Sequence, residues 1–328
     1  MEETPWKKLL WYPQPHPDNY TPKSFLSQLK RNSTVVKYSY RKLCHDFSLL
    51  ILHLSLIQAI IITFYGIYQL NWNPIKPTIV TSSLTIIGFI IYVVTLKIRR
   101  NKELIELQRA EINKLSKNKF NYKSDYEYNF NNLESYLIEL RAPSVLRTFK
   151  SSLLIIFYLL TLSPVLKSLT NSTSSDSIWA LSAWLCLLNV LFNDFKIDFS
   201  QELKSHSSNL SKNICVSNAI VLASRLQSNL SAFCFILFAI QVGGLFPEFN
   251  NFTRRVGFKS FHIFQLISIV GLVLYALYFL FGGKWFLVCF TIEFIVGVGG
   301  PWWFMKLQKY KEELQGPWDP AVAVVNAR

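Results

Sequence analysis

Long apolar runs alternate with short polar stretches along most of the chain. A helix that crosses the hydrocarbon core of a bilayer needs about 20 mainly apolar residues. By this criterion the sequence predicts eight membrane spans, at residues 47–68, 77–96, 148–169, 177–194, 209–226, 229–247, 261–281 and 284–306. The fifth is short and polar, so a re-entrant segment stays open as the alternative for it. The predicted fold class is an all-α polytopic membrane protein with about eight transmembrane helices.

Composition favours a membrane protein over a soluble one. Of the 328 residues, 51% are hydrophobic, 15% are aromatic and only 16% are charged, whereas soluble domains average about 25% charged residues. The formal net charge of +14 is compatible with nucleic-acid binding, but the basic residues lie between apolar runs rather than on one soluble domain. We therefore expect no nucleic-acid partner.

The positions of Lys and Arg predict the orientation of the spans. With eight crossings and a cytosolic N-terminus, 30 of the 34 basic residues lie in the cytosol, and only Lys76, Lys167, Arg225 and Lys284 lie on the other side. The split falls to 25 against 9 if the fifth segment does not cross. Because cytosolic loops of membrane proteins are enriched in Lys and Arg, we expect cytosolic N- and C-termini.

The predicted organisation has five parts. A cytosolic N-terminal arm (1–46) is followed by a first transmembrane hairpin (47–96), a basic cytosolic loop (97–147), a six-helix transmembrane bundle (148–306) and a cytosolic tail (307–328). The first part of the loop has helical periodicity with mixed Glu and Lys, which predicts an extension of the second span. The rest of the loop is predicted to be an insertion. The tail is predicted to be a short helix that stops at Gly316 and Pro317.

The N-terminal arm contains a short amphipathic segment. Its aromatic and aliphatic side chains flank two lysines, in the order Trp6, Lys7, Lys8, Leu9, Leu10 and Trp11. Such a pattern is typical of a segment that lies on anionic headgroups or against a partner. The alternative is a disordered arm with incidental aromatic residues.

No catalytic, cofactor or metal site is predicted. The sequence has no DxD site for a nucleotide sugar; Asp194 and Asp198 are merely four residues apart. It also has no dinucleotide, P-loop, HExxH or GxSxG motif. The five cysteines are single and show no zinc or disulfide spacing, and the five histidines form no cluster with carboxylates.

A few polar residues lie inside the predicted spans. Glu293 is the one acid in the middle of a span, and a carboxylate at that depth is by default a candidate functional residue. The alternative is a protonated acid that is hydrogen-bonded to a neighbouring helix. A second group is predicted to form interhelical hydrogen bonds or packing contacts rather than to bind a substrate: His53, Gln58, Asn189, Gln241 and Gln265.

A polar stretch separates the third and fourth spans. Pro164 lacks a backbone donor and its ring clashes with the carbonyl of Leu160, which predicts a kink. Lys167 is close enough to the surface to snorkel, and Asp176 suits the N-cap of the next span. Arg225 ends the fifth span on the same, lumenal face. The sequence predicts a structural cluster of Lys167, Asp176 and Arg225 held by an ion pair or triad.

Four blocks of the sequence together resemble the PIG-C family. These blocks are PWKKLLWYPQPHPDNYTPKSFL (5–26), LTLSPVLKSLTNSTSSDSIWALS (160–182), NAIVLASRLQSNLSAFCFILFAIQ (218–241) and LQKYKEELQGPWDPA (307–321), in the family's order. PIG-C is the C subunit of the glycosylphosphatidylinositol N-acetylglucosaminyltransferase. Residues from about 100 to 145 do not resemble the family, and Glu293 belongs to none of its motifs.

The resemblance implies a non-catalytic subunit in the endoplasmic reticulum membrane. The complex transfers N-acetylglucosamine from UDP-GlcNAc to phosphatidylinositol on the cytosolic face. Its catalytic domain belongs to PIG-A, and PIG-H, PIG-P, PIG-Q and PIG-Y are further subunits. The implied role is to hold PIG-A and to help position phosphatidylinositol, while the lumenal charges serve the architecture. One alternative stays open, a lipid transporter or scramblase-like protein. An integral-membrane lipid enzyme would need a catalytic pair in one layer, and the sequence offers none.

Overall fold

The computed structural model describes residues 13–15, 17, 20, 30–32, 38–117, 145–169, 172–195, 209–257, 259–312 and 314–315. In this part of the chain the secondary structure is almost entirely helical. The helices are α1 (Tyr40–Tyr68), α2 (Ile75–Lys117), α3 (Val145–Ser168), α4 (Ser175–Leu191), α5 (Asn209–Ala223), α6 (Asn229–Ile240), α7 (Phe246–Val256), α8 (Lys259–Phe281), α9 (Gly283–Phe294) and α10 (Gly300–Gln308). Two π-helical segments, Gln241–Leu245 and Ile295–Gly299, join α6 to α7 and α9 to α10.

The helices confirm an all-α polytopic membrane protein. Among the described residues, six are long and apolar enough to cross a membrane: Tyr40–Tyr68, Ile75–Arg99, Arg147–Ser168, Asn229–Val256, Ser260–Phe281 and Gly283–Gln308. The predicted fourth span forms α4, a shorter apolar helix of 17 residues. The predicted helical extension of the second span is confirmed: α2 continues beyond the span to Lys117. The count of eight crossings and the cytosolic termini stay predictions.

The predicted fifth span forms α5, which has only 15 residues. At 1.5 Å per residue it is about 22 Å long, shorter than the roughly 30 Å of a bilayer core. Its contacts nevertheless extend along the whole of α4. Ser211 at its start bonds Asn189 near the end of α4, and Arg225 just after it bonds Thr173 just before α4. These contacts favour a crossing by α5 and its flanking residues.

Residues 48–296 form one compact unit, with α6 at its centre. The side chains of Ala232, Phe235, Ile236 and Ala239 in α6 are completely buried, and α2, α3 and α5 all pack against this helix. Because lipid tails are as apolar as leucine, helices in a membrane associate through close packing, for which small residues are suited. The two alanines fit this requirement.

Helix α1 takes part in two apolar clusters of this unit. Ile60 and Phe64 pack with buried residues of α5 and α6, whereas Ile62 packs with Val273 and Leu277 of α8. Helix α1 therefore has apolar contacts on two of its faces, which explains its extensive burial.

Both π-helical segments have the same local cause. Pro247 and Pro301 lack an N–H and would clash with the carbonyls of Gly243 and Gly297, four residues earlier, in a regular α-helix. In the first segment the N–H of Phe246 instead bonds the carbonyl of Gln241, five residues back. The pattern Val-Gly-x-x-x-Pro therefore occurs twice, 54 residues apart, at 242–247 and 296–301.

Residues 1–47 and 297–328 form the second compact unit. Here the prediction of a helical tail is wrong: α10 ends at Gln308, and Leu314–Gln315 pairs as a short antiparallel strand with Lys30–Arg31. Backbone bonds to a distant segment replace those of a local helix. The predicted amphipathic segment 6–11 lies outside the described residues.

Candidate functional site

The residues of the predicted lumenal cluster lie at one end of α3, α4 and α5. The ammonium of Lys167 donates to the carbonyl of Gln227 at 2.7 Å, and the guanidinium of Arg225 donates to the carbonyl of Thr173. Asp176 is exposed in the first turn of α4, and within the described part of the chain no salt bridge joins it to either cation. The clustering of the three charges stays a prediction, which the two contacts with carbonyl groups support.

Two local predictions about this stretch have different outcomes. The N-cap of α4 is Ser174, whose Oγ accepts from the N–H of Ser177 at 3.4 Å, so the prediction of Asp176 as the cap is wrong. Pro164 lies inside α3. The carbonyl of Leu160, which Pro164 deprives of its helical partner, accepts a hydrogen bond from Ser163 Oγ at 3.0 Å. The kink at Pro164 stays a prediction.

Glu293 is buried on α9 and contacts α1. Its Oε1 accepts from Ser55 Oγ at 3.1 Å, and Ser55 also lies 3.1 Å from the carbonyl of Ile51. The second carboxylate oxygen of Glu293, Oε2, has no hydrogen-bond partner among the described residues. This arrangement supports an interhelical contact and assigns no chemistry to the acid.

Two of the predicted interhelical hydrogen bonds are confirmed. Asn189 Oδ1 accepts from Ser211 Oγ between α4 and α5. Gln241 contacts Thr81 at 2.6 Å and donates to Ser82 at 2.8 Å on α2. By contrast, three buried atoms have no hydrogen-bond partner in the described part of the chain: His53 Nε2, Gln58 Oε1 and Gln265 Oε1.

His53 lines a small pocket with a polar wall, which we call the polar pocket. Its lining comes from α1, the residues after α4, the start of α5, the first π-helical segment and α7. The polar side chains in this lining are His53, Asn193, Asp194, Ser211, Lys212, Asn250 and Asn251. The pocket encloses about 30 Å³, which is room for one or two water molecules.

Three buried side chains form a hydrogen-bonded chain behind this pocket. Ser48 Oγ lies 2.8 Å from His262 Nε2, and His262 Nδ1 lies 2.8 Å from Asn250 Oδ1. Because Asn250 Oδ1 can only accept, Nδ1 carries a proton and donates to it. Ser48 then donates to Nε2 when the imidazole is neutral. The chain links α1, α7 and α8 and ends at a residue of the pocket lining.

Charged residues lie close to the same end of the unit. Lys212, in the pocket lining, forms an ion pair of 2.8 Å with Glu248. Arg99 near the end of the second span donates to the carbonyl of Val256 at 2.9 Å. The predicted eight-span topology places all these positions at its cytosolic side. Ser211 of the pocket lining bonds Asn189 near one end of α4, whereas Arg225 bonds Thr173 at the other end. The polar pocket and the Lys167 contacts therefore lie at opposite ends of α4 and α5.

Sequence reasoning predicted His53 to be a packing residue and missed the rest of this site. Asn250 is 12 residues from His262, and Ser48 is 214 residues away from it, so no local spacing indicates the chain of bonds. The one signal in the sequence was polar residues near the ends of predicted spans. Among the described residues no group of three or more His, Cys, Asp or Glu could hold a metal ion.

Comparisons with known proteins agree with this architecture. The family GPI2, described as phosphatidylinositol N-acetylglucosaminyltransferase, matches residues 6–319. The chain is 30% identical to the phosphatidylinositol N-acetylglucosaminyltransferase GPI2 subunit of Schizosaccharomyces pombe, over 97% of this chain and 86% of that protein. It is also 30% identical to the GPI2 subunit of Saccharomyces cerevisiae, over 99% of this chain and 100% of that protein.

A more distant relative extends the match beyond fungi. The human C subunit of phosphatidylinositol N-acetylglucosaminyltransferase is 28% identical over 98% of this chain and 93% of its own length. No solved structure matches the chain. Since the family match covers nearly the whole chain, including all the helices described above, the chain belongs to the GPI2 family of phosphatidylinositol N-acetylglucosaminyltransferase proteins.

Proposed function

We propose that the chain is a non-catalytic, integral-membrane subunit of the complex that transfers N-acetylglucosamine from UDP-GlcNAc to phosphatidylinositol. This reaction is the first step in the synthesis of glycosylphosphatidylinositol anchors. The observation that carries the proposal is the full-length match to relatives named as subunits of this transferase. The bundle of apolar helices supports a subunit that acts within the membrane.

Its role in the complex is to hold the catalytic subunit at the membrane and to help position phosphatidylinositol. The proposed partners are PIG-A as the catalytic subunit and PIG-H, PIG-P, PIG-Q and PIG-Y as accessory subunits. The proposed location is the endoplasmic reticulum membrane, with both termini and the polar pocket on the cytosolic side. The basic loops that the orientation rule assigns to the cytosol support this placement.

Purification tests the proposal. The full-length chain, isolated from cells that express the complex, should carry the catalytic subunit in a fixed ratio and show transferase activity. The same chain purified alone should transfer no N-acetylglucosamine. Turnover by the isolated chain would contradict a non-catalytic role. Failure to recover a catalytic subunit, together with movement of lipid by the chain in vesicles, would favour a transporter or scramblase instead.

A further inference from the structure

The buried Ser48–His262–Asn250 chain fixes the orientation of one amide in the polar pocket. Asn250 Oδ1 is occupied by the Nδ1 proton of His262, so the two N–H groups of the Asn250 amide are turned away from His262. Asn250 is almost completely buried, yet it lines the pocket. Ser48 and His262 therefore act as positioning residues, which present the Asn250 amide as a donor.

A second buried group faces the same pocket. His53 is 6% exposed, lies in the lining, and its Nε2 has no hydrogen-bond partner among the described residues. Burial of a polar group without a partner costs free energy. The ring of His53 therefore adds a second buried polar group, with a nitrogen that has no partner among the described residues, to the wall of the pocket beside the Asn250 amide.

The remaining polar groups of the lining both donate and accept hydrogen bonds. Lys212 has three N–H groups, of which one contacts Glu248. The amide of Asn251 supplies donors and an acceptor, and the carboxylate of Asp194 supplies acceptors. Lys212 and Asp194 contribute opposite charges, so the lining is not strongly basic. A set of this kind suits hydroxyl groups, each of which donates one hydrogen bond and accepts others, better than it suits a bare anion.

Size and position narrow the ligand further. A space of about 30 Å³ admits one or two hydroxyl groups but not a complete ring. The pocket lies at the end of the helices that the eight-span topology places at the cytosolic leaflet. It is also bordered by Gly243 and Pro247 of the first π-helical break, and such breaks frequently occur at functional sites.

The geometry points to the polar pocket as the subsite for the hydroxyl edge of a polyol headgroup, namely the inositol ring of a phospholipid in the cytosolic leaflet. The ring inserts one edge, His53, Asn250, Asn251 and Lys212 contact its hydroxyls, and the phosphate and acyl chains stay at the mouth and in the bilayer. This inference rests on the proposed function, in which the inositol lipid is the acceptor. The sugar of UDP-GlcNAc, the other substrate on the cytosolic side, also carries several hydroxyl groups, so the experiment has to distinguish the two substrates.

Steady-state kinetics of the purified complex test the inference. The variants are His53→Leu and Asn251→Ala, and the matched control is Gln58→Leu. Gln58 is on the same helix as His53 and also has a buried atom without a partner among the described residues, but it is not in the pocket lining. Leucine at position 53 removes a ring nitrogen that has no partner among the described residues and keeps a side chain of similar size in its place, so the chain should fold and assemble normally.

We expect each pocket variant to raise the KM for phosphatidylinositol about three- to tenfold, the effect of one lost hydrogen bond. The KM for UDP-GlcNAc and the amount of assembled complex should stay unchanged, and Gln58→Leu should behave like the parent chain. An unchanged KM for phosphatidylinositol in both pocket variants would overturn the inference. A raised KM for UDP-GlcNAc alone would also overturn it, in favour of the sugar nucleotide.

A second measurement does not depend on transferase activity. The full-length chain is purified in mild detergent from membranes of known composition, and its retained lipids are extracted and identified. The parent chain should retain phosphatidylinositol in excess over phosphatidylcholine, and His53→Leu with Asn251→Ala should lose this excess. If the parent chain and the double variant retain the same excess of phosphatidylinositol over phosphatidylcholine, the inference is contradicted. If the parent chain retains phosphatidylinositol but is recovered without any other subunit of the transferase, the result contradicts the proposed function and leaves the lipid site standing.

Discussion

His262 and Asn250 are joined by a hydrogen bond of 2.8 Å between Nδ1 and Oδ1, with side chains that are 0% and 1% exposed. The bond links the start of α8 to α7, and Ser48 extends it to α1. In a membrane, where apolar burial gives little preference for one helix neighbour over another, such bonds help to specify the arrangement.

Loss of His262 should therefore destabilise the chain more than loss of Ser48. Ser48→Ala leaves one buried atom of His262 without its hydroxyl partner, and we expect the free energy of unfolding to fall by about 1 kcal/mol. His262→Leu leaves both Ser48 and Asn250 without this partner, and we expect a fall of about 2–4 kcal/mol. The thermal midpoint of the purified chain in detergent measures both. Ser83→Ala is the control, since Ser83 is exposed and bonds the carbonyl of Ile79 in its own helix. Equal midpoints for His262→Leu and Ser83→Ala would contradict the structural role.

Two adjacent glycines in the first π-helical segment should respond differently to a methyl group. A Cβ on Gly243 would overlap Sγ of buried Cys215, whereas a Cβ on Gly244 would meet no atom within 4 Å. We expect Gly243→Ala to cost about 1–3 kcal/mol through overpacking and Gly244→Ala to cost much less. The difference in thermal midpoint between the two variants is the measurement. Adding Cys215→Ala to Gly243→Ala should recover stability; if it does not, steric overlap is not the cause.

At the opposite end of the helices, the cations should matter more for assembly than Asp176. Arg225→Met removes a charged donor from the Thr173 carbonyl, and Lys167→Met removes one from the Gln227 carbonyl. A hydrogen bond to a charged group contributes about 1.5–3 kcal/mol to stability. Asp176 is exposed, and an exposed ion pair contributes only about 0–1 kcal/mol. We expect less assembled complex for Arg225→Met than for Asp176→Asn, with unchanged turnover per complex. Normal assembly of Asp176→Asn with lost turnover would instead make the polar stretch a functional site.

The orientation of the chain can be tested in sealed microsomes. Tags at the N- and C-termini should both be accessible to protease, and a cysteine introduced at Ser172 should react with an impermeant maleimide only after permeabilisation. A C-terminal tag protected from protease would show an odd number of crossings. The first segment to re-examine would then be α5, because a helix of 15 residues is shorter than the hydrocarbon core of a bilayer.

The positions of the helices could be predicted from local patterns, for a physical reason. The bilayer imposes length and apolarity on each crossing separately, so the runs around α1, α2, α3, α6, α8 and α9 are recognisable without knowledge of their neighbours. Even the two π-helical segments have a local cause, a proline that lacks an N–H and whose ring would clash with the carbonyl four residues earlier. Family membership was likewise contained in the order of a few sequence blocks.

Pairing between helices could not be predicted in the same way. Ser55 meets Glu293 across 238 positions and Ser48 meets His262 across 214, and a polar residue inside an apolar run does not indicate its partner. The failed prediction of a helical tail has the same origin, because Leu314–Gln315 bonds Lys30–Arg31 from the other end of the chain. The polar pocket could not be predicted for the same reason. Its lining comes from five separate segments, and it exists only because helix packing brings these segments, with His53 and Asn250 among them, around one space.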